Sequence, residues 1–149
     1  MLTAENIMTT DVVSVHPNTE LKDLAALFQQ YNLSSMPVID DQGKLYGVIT
    51  TTDLIDLDTT LHIPTVVSIF DWVLYLESEK NFEEQVRRIS AHTVAEICST
   101  QVVTCGVNTP VQDVADIMVK NRVHLVPVVE DEKVVGVIAR LDIIRAMGV

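Results

Sequence analysis

The stretch Met36–Asp53, MPVIDDQGKLYGVITTTD, recurs later in the chain as Val126–Asp142, VPVVEDEKVVGVIARLD, with one residue fewer in the turn. The repeat extends towards the N-terminus of each copy. A shift of 90 residues places Ile7–Val15, IMTTDVVSV, over Ile97–Cys105, ICSTQVVTC. An ordered set of matches over about 55 residues, found twice, indicates two copies of one structural unit.

Each copy has the pattern strand, helix, strand, strand, helix. The run Val12–Val15 is short and β-branched, which favours a strand. Asn18-Thr19 offers N-caps to the amphipathic helix that follows. Two strands joined by a turn at residues 41–43 predict a hairpin, and Thr50 is expected to cap a last helix that runs through Leu57.

Between the copies lies a segment that matches neither, so we divide the chain into residues 1–57, an insert at 58–92, and residues 93–149. The insert contains the apolar run Val66–Leu76 with Trp72, followed by a second amphipathic helix. We expect it to form helices that bury Trp72 and help to build a dimer or a partner surface. Neither copy can hide its apolar sheet face alone at this size, so the two copies are expected to pack together.

Composition excludes several classes of protein. The 149 residues carry a net charge of −11 with a pI near 4.5, which argues against nucleic acid or an anionic membrane as partner. No signal peptide is visible, and the longest apolar run is too short to span a bilayer. Two cysteines do not make a disulfide framework. We therefore expect a soluble, cytoplasmic protein.

Three motifs resemble those of the cystathionine-β-synthase (CBS) domain family. They are IMTTDVVSVHP at the start of the first copy, MPVID in its middle and GVITTTDL at its end. Two copies resemble the tandem pair called a Bateman module. The resemblance implies an α/β (α+β) fold, in which two β-α-β-β-α units pack about a pseudo-twofold axis with a helical insert between them. It also implies clefts that bind an adenosyl ligand such as AMP, ADP, ATP or S-adenosylmethionine, a regulatory role, and a homodimer.

Thr50 and Asp53 lie at the start of a helix, where a carboxylate can accept the two hydroxyls of a ribose and a hydroxyl with free amides can hold phosphate. The alternative is a capping box, which needs no ligand. In the second copy the same positions are Ala139 and Asp142. Alanine has no oxygen with which to cap, yet an aspartate is still present, and this favours a ribose role for Asp142. The alternative is that the helix dipole stabilises this carboxylate without a ligand.

By resemblance, the adenine base lies against the chain just before each proline. Free backbone amides there can bind the edge of the base, although a proline that fixes the entry of a strand explains each residue equally well. The residues concerned are Ser34, Ser35, Met36 and Pro37, with His124, Leu125, Val126 and Pro127 in the second copy, and His16-Pro17 and Gly106-Val107 complete the pockets.

Charge is divided unevenly along the chain. Up to Glu79 there are 12 acidic and two basic residues, whereas from Lys80 on there are nine and eight. Phosphate needs cations or amides, so we expect an anionic nucleotide near the second copy's Arg140, Arg122, Lys120 and His124, and adenosine or a cationic S-adenosyl group in the first pocket. Arg140 has an alternative role as a solvated surface residue.

Catalysis finds little support in the sequence. The four histidines show no metal-ligand spacing, and Cys98 and Cys105 occupy the positions of Met8 and Val15, so they are interpreted as core residues. We therefore expect a non-catalytic regulatory module that requires no cofactor and no metal, and that signals to a regulated protein when its adenosyl ligand binds. The alternative is a structural dimerisation module with vestigial pockets, which the alanine at position 139 supports.

Overall fold

The computed structural model describes residues 1–60 and 92–148. The first repeat contains α1 (Ala4–Ile7), α2 (Leu21–Tyr31), β1 (Ser35–Ile39), β2 (Leu45–Thr50) and α3 (Thr51–Thr60). The second contains α4 (Val94–Ile97), α5 (Val111–Asn121), β3 (Leu125–Glu130), β4 (Lys133–Ala139) and α6 (Arg140–Ala146). The expected mixed fold with two equivalent units is confirmed. The predicted helices of the insert and the burial of Trp72 lie outside the described residues.

Each repeat is built on an antiparallel hairpin with the same register. Met36 pairs with Ile49 in the first repeat, and Val126 pairs with Ile138 in the second. The register shifts at the equivalent place in both hairpins, between Val38 and Ile39 and between Val128 and Val129. A bulge repeated at equivalent positions shows that the two copies share backbone geometry as well as sequence.

The predicted strand Val12–Val15 is wrong, because within the described residues the run contributes only one bridging residue. Val15 lies parallel to Val38, its amide donates to the Pro37 carbonyl at 3.2 Å, and its carbonyl accepts from the Ile39 amide at 2.8 Å. Cys105 forms the equivalent bridge in the second repeat. Pairing extends no further upstream because the chain there runs towards the other repeat.

The predicted cap of α2 is also wrong. The helix begins at Leu21, with Glu20 as N-cap and no side-chain hydrogen bond there. The Thr19 hydroxyl instead accepts a hydrogen bond from the His16 amide at 3.0 Å, which closes the turn before the helix. Local turn formation competed with helix capping for the same hydroxyl.

Two short arms cross between the repeats. Thr9, just after α1, exchanges two backbone hydrogen bonds with Val137 on β4, at 2.9 and 3.0 Å. Ser99, just after α4, does the same with Val48 on β2, at 2.9 and 3.0 Å. The two repeats are thus paired through both arms, and the expectation that they pack together is confirmed.

The starting helix of each repeat completes the hydrophobic core of the other. Ala4 of α1 is fully buried among residues of the second repeat such as Val126 and Ile138. Val94 of α4 is fully buried in the first core, which includes Ile49 and Leu54. Neither core is therefore made by one repeat alone.

A glycine lies under each crossing arm. A Cβ atom on Gly47 would overlap the backbone carbonyl oxygen of Ser99, and one on Gly136 would come within 2.5 Å of the Met8 Sδ atom. Both glycines are buried. The repeated glycine thus permits the close approach of backbone that the crossing needs.

Candidate functional site

A cleft of about 550 Å³ lies between the repeats, within the size range of small-molecule sites. It is lined from both sides. The first repeat contributes Ser34, Ser35, Val48, Thr50, Thr51, Thr52 and Asp53. The second contributes Ser99, Gln101, Val102, Val103, Asn121, Arg122, Val123, His124, Leu125 and Arg140.

Thr50 and Asp53 form a complete capping box at the start of α3. The Thr50 amide and hydroxyl donate to Asp53 Oδ2 at 2.9 and 3.1 Å, and the Asp53 amide donates to the Thr50 hydroxyl at 3.2 Å. Among the described residues, none donates a hydrogen bond to Asp53 Oδ1. The box therefore fixes the carboxylate at the cleft and leaves one of its oxygens for a further donor.

Asp142 is held by local contacts in the second repeat. Its Oδ2 accepts the Ala139 amide at 2.8 Å, and its Oδ1 lies 3.3 Å from Arg145 Nη1. The aspartate thus keeps one half of a capping box although Ala139 cannot supply the other half. These contacts account for Asp142 without a ligand, and Asp142 is not among the residues that line the cleft between the described repeats. Its ribose role stays a prediction.

Of the residues expected beside the base, four line the cleft and the other four are buried in the strands. Ser34, Ser35, His124 and Leu125 line it. The side chains of the other four, Met36, Pro37, Val126 and Pro127, are buried in β1 and β3. These four can serve a ligand only by shaping the strand entry, and their contact with a base stays a prediction.

His16 takes part in a turn rather than in the cleft. Its Nε2 lies 2.9 Å from Asp41 Oδ1, and its Nδ1 accepts the Asn18 amide at 3.0 Å. These contacts tie the segment after Val15 to the tip of the hairpin. A ligand role for His16 stays a prediction, and the described contacts give it a structural one.

Arg122, His124 and Arg140 line the same cleft as Asp53. The expectation that these cations serve a separate second pocket, while the first stays poor in cations, is therefore not met. Charge counted along the chain does not divide between pockets, because the cleft spans both repeats. Lys120 is not among the cleft residues.

Sequence reasoning missed Gln101 and Asn121 as cleft residues. Gln101 follows the arm that crosses to the first repeat, and Asn121 ends α5. No local sequence pattern marks either residue, because both reach the cleft only through the arrangement of the two repeats in space.

The two free cysteines are poor nucleophiles. Burial raises the pKa of the Cys105 thiol to about 11. Burial first, and then the negative charge of Asp53, raises the pKa of the Cys98 thiol. Both thiols keep their protons at neutral pH, and thiolate is the reactive form.

Metal-binding clusters and membrane-spanning helices are both absent from residues 1–60 and 92–148. There, no group of three or more His, Cys, Asp or Glu side chains could hold a metal ion. No helix in this part of the chain has the length and apolar character needed to cross a membrane.

The family model of the CBS domain matches residues 4–59 and 94–149. The chain therefore belongs to the CBS domain family and contains a pair of these domains. Among curated relatives, the protein MJ1426 of Methanocaldococcus jannaschii is 27% identical, covering 96% of this chain and 89% of its own length. YhcV, a CBS domain-containing protein of Bacillus subtilis, is also 27% identical, covering 96% of this chain and 84% of its own length.

Solved structures show the same fold. The complex of CBSX2 with AMP superposes with a TM-score of 0.75 at 23% identity, covering 99% of this chain and 96% of that one. A chloroplastic protein of this name is known from Arabidopsis thaliana. The CBS domain pair of MJ0100, in complex with 5′-methylthioadenosine and S-adenosyl-L-methionine, has a TM-score of 0.70 at 25% identity, covering 99% and 97%.

Proposed function

We propose that this CBS pair is a non-catalytic, cytoplasmic regulatory module whose cleft binds an anionic adenosine nucleotide of the AMP, ADP or ATP class. The proposal rests on one observation, which is the set of charged side chains that line the cleft. A fixed carboxylate from the first repeat, Asp53, lines the same space as Arg122 and Arg140 from the second. A nucleotide offers the matching groups, with ribose hydroxyls to donate and phosphate oxygens to accept.

In the proposed complex, Asp53 Oδ1 accepts the ribose hydroxyls while Oδ2 stays in the capping box. The guanidinium groups of Arg122 and Arg140 contact the phosphate, and arginine suits phosphate because its donors form a planar fork. The chain at Ser34-Ser35 and at His124-Leu125 covers the base. Each role uses a residue that lines the cleft.

The ligands of the neighbouring structures support the adenosyl class. CBSX2 was solved with AMP, and the MJ0100 pair with 5′-methylthioadenosine and S-adenosyl-L-methionine. The charges of this cleft favour the anionic members of the class. A sulfonium cation would be repelled by two arginines, and like charges cost free energy in a partly desolvated site.

We further propose that ligand binding reaches a regulated protein through a shared wall. Arg122, His124 and Arg140 line the cleft, and they also line a groove of about 390 Å³ between α5 and α6 on the outer surface. A phosphate that orders these side chains changes the shape and charge of the groove. Binding is thereby linked to whatever surface contacts the groove.

Isothermal titration calorimetry of the full chain with AMP, ADP, ATP, adenosine and S-adenosylmethionine tests the ligand class. Asp53→Asn removes the charge from the ribose acceptor, and losing a charged hydrogen bond of about 1.5–3 kcal/mol weakens AMP binding about tenfold or more. Arg140→Ala is expected to weaken AMP more than adenosine. Asp116→Asn is the control, because it makes the same change at an exposed aspartate of α5 that does not line the cleft. Equal AMP affinity in Asp53→Asn and wild type would contradict the proposed mode.

A structural dimerisation module with vestigial pockets is the second candidate. The complete capping box favours it, because the box explains Thr50 and Asp53 with no ligand present. The two candidates differ in a thermal-shift experiment. A ligand at 100 times its dissociation constant adds about 2.7 kcal/mol to the free energy of unfolding, whereas vestigial pockets give no shift with any adenosyl compound.

A further inference from the structure

Valines from both repeats form an apolar stretch of the cleft wall. Val48 on β2 lines the cleft, as do Val102 and Val103 on the arm that follows α4, and all three residues are half-buried. Val48 and Thr50 are two residues apart on β2, so they share a face of the strand with about 7 Å between them. A base that lies flat against these valines is therefore adjacent to a ribose held at Asp53.

Gln101 lies beside this apolar wall. It directly precedes Val102 in the chain, and it lines the same cleft with an exposed side chain. Two residues earlier, Ser99 exchanges two backbone hydrogen bonds with Val48, at 2.9 and 3.0 Å. The crossing arm is thus fixed to β2 close to Gln101, and this contact determines where the glutamine meets the cleft.

The side-chain amide of Gln101 is open to a ligand. Gln101 and Asn121 both bring a carboxamide to the cleft. The Asn121 amide nitrogen donates to the Ile117 carbonyl within α5, at 2.9 Å. Within residues 1–60 and 92–148 the Gln101 side chain makes no hydrogen bond, although the Ser99 hydroxyl lies 3.5 Å from its backbone carbonyl oxygen. Gln101 therefore offers one donor and one acceptor to the cleft.

The arm does not need a glutamine for its own structure. The first arm makes the equivalent crossing, with two hydrogen bonds between Thr9 and Val137 at 2.9 and 3.0 Å. It does so with Asp11 at the position that corresponds to Gln101. The crossing accounts for the backbone of both arms, but it leaves the Gln101 amide without a structural role.

We propose that Gln101 makes the cleft selective for adenine by pairing its side-chain amide with N6 and N7 of the base. This inference rests on the proposed nucleotide site and adds to it the residue that distinguishes one purine from another. The Gln101 amide oxygen accepts from the N6 amino group, and the amide nitrogen donates to N7. Hypoxanthine and guanine present two acceptors on this edge, O6 and N7, so the amide oxygen would face O6 with no hydrogen between them.

Isothermal titration calorimetry of the full chain with AMP and IMP tests the selection. IMP differs from AMP in the base alone, where O6 replaces the amino group and N1 carries a proton. Wild type is expected to bind AMP at least about tenfold more tightly than IMP, because a bidentate contact is lost with the wrong base. Gln101→Leu removes the donor and the acceptor together. It is expected to weaken AMP about tenfold and to bring the two affinities within about threefold of each other.

A second ligand and a second variant separate base recognition from a general loss of binding. 7-Deaza-AMP has a carbon atom in place of N7, so wild type should bind it more weakly than AMP, whereas Gln101→Leu should bind the two alike. Arginine has donors only and suits O6 with N7, so Gln101→Arg is expected to prefer IMP over AMP. A positive charge attracts both phosphates equally, and the ratio of affinities is therefore the readout. A residue with only a structural role cannot reverse this ratio.

Gln112→Leu is the control, because Gln112 is exposed on the first turn of α5 and is not among the cleft residues. This variant should keep the wild-type ratio of AMP to IMP affinity. Circular dichroism of every variant checks that the fold is intact.

Two results overturn the role of Gln101 and leave the nucleotide site in place. One is a wild-type chain that binds AMP and IMP equally well, and the other is a ratio that stays the same in Gln101→Leu and Gln101→Arg, provided that AMP binding still depends on Asp53. A wild-type chain that binds no AMP overturns the proposed function, and the selection of adenine with it.

Discussion

Replacing Gly47 by alanine tests whether the crossing arms hold the two repeats together. The new Cβ atom would overlap the carbonyl oxygen of Ser99 and lie 3.2 Å from both the Ser99 carbonyl carbon and the Cys98 sulfur. Two of these three atoms belong to the backbone of the crossing arm. The arm must therefore move away from β2 as a unit.

The structure gives the size of the effect. Overpacking of a buried site costs about 1–3 kcal/mol, and the two hydrogen bonds between Val48 and Ser99 contribute about 0.5–1.5 kcal/mol each. With the bonds partly lost, Gly47→Ala is expected to lower the free energy of unfolding by about 3 kcal/mol. For a chain of this length, that corresponds to a fall in Tm of about 6–12 °C.

Gly136→Ala is the matched comparison, because the same change in the second repeat meets a side chain instead of backbone. Its Cβ would lie 2.5 Å from Met8 Sδ and 2.8 Å from Met8 Cγ. Methionine is flexible and can move aside, so Gly136→Ala is expected to lower the free energy of unfolding by only about 1 kcal/mol. Adding Met8→Ala to the same chain removes the clashing side chain and should reduce this effect of the glycine substitution. Thermal unfolding and urea denaturation measure all three variants. A Gly47→Ala chain as stable as Gly136→Ala would refute the backbone crossing as the source of the constraint.

Two other changes test the local chemistry of the repeats. Folded Cys105 keeps its proton up to a pKa of about 11, whereas the unfolded thiol loses it near the ordinary value of 9.0. The free energy of unfolding should therefore fall by about 2–3 kcal/mol as the pH rises through this window. Cys105→Val, which introduces the residue found at the equivalent position 15, should remove this dependence on pH. Urea titrations at pH 8 and pH 10.5 measure the difference. Thr50→Ala should lower the free energy of unfolding by about 1 kcal/mol, because it removes the capping hydroxyl. Ala139→Thr should raise it by about as much, because the amide of residue 139 already bonds to Asp142 and the new hydroxyl completes the box. Destabilisation by Ala139→Thr in a melting experiment would contradict the capping argument.

Local sequence signals predicted the hairpins and the repeat, because alternating apolar residues and turn residues act over a few positions. The same signals failed for Val12–Val15, where β-branched residues favour a strand but the chain leaves the sheet after one bridge. They also failed to place Arg122 and Arg140 beside Asp53. The distance between these side chains depends on how the two repeats pack on each other, and the local sequence of one repeat does not predict that packing.

The exchange of starting helices has a consequence for synthesis of the protein on the ribosome. When α3 has been translated, the first core still lacks Val94, which belongs to a helix made only after the whole insert. The second core, in turn, needs Ala4, which is translated long before the rest of that core. Contacts so distant in sequence form slowly, and exposed apolar surface in the meantime invites aggregation. The core of the first repeat therefore stays incomplete during synthesis until α4 has been made. For the same reason, neither repeat is expected to fold as an independent unit when it is fused to another protein.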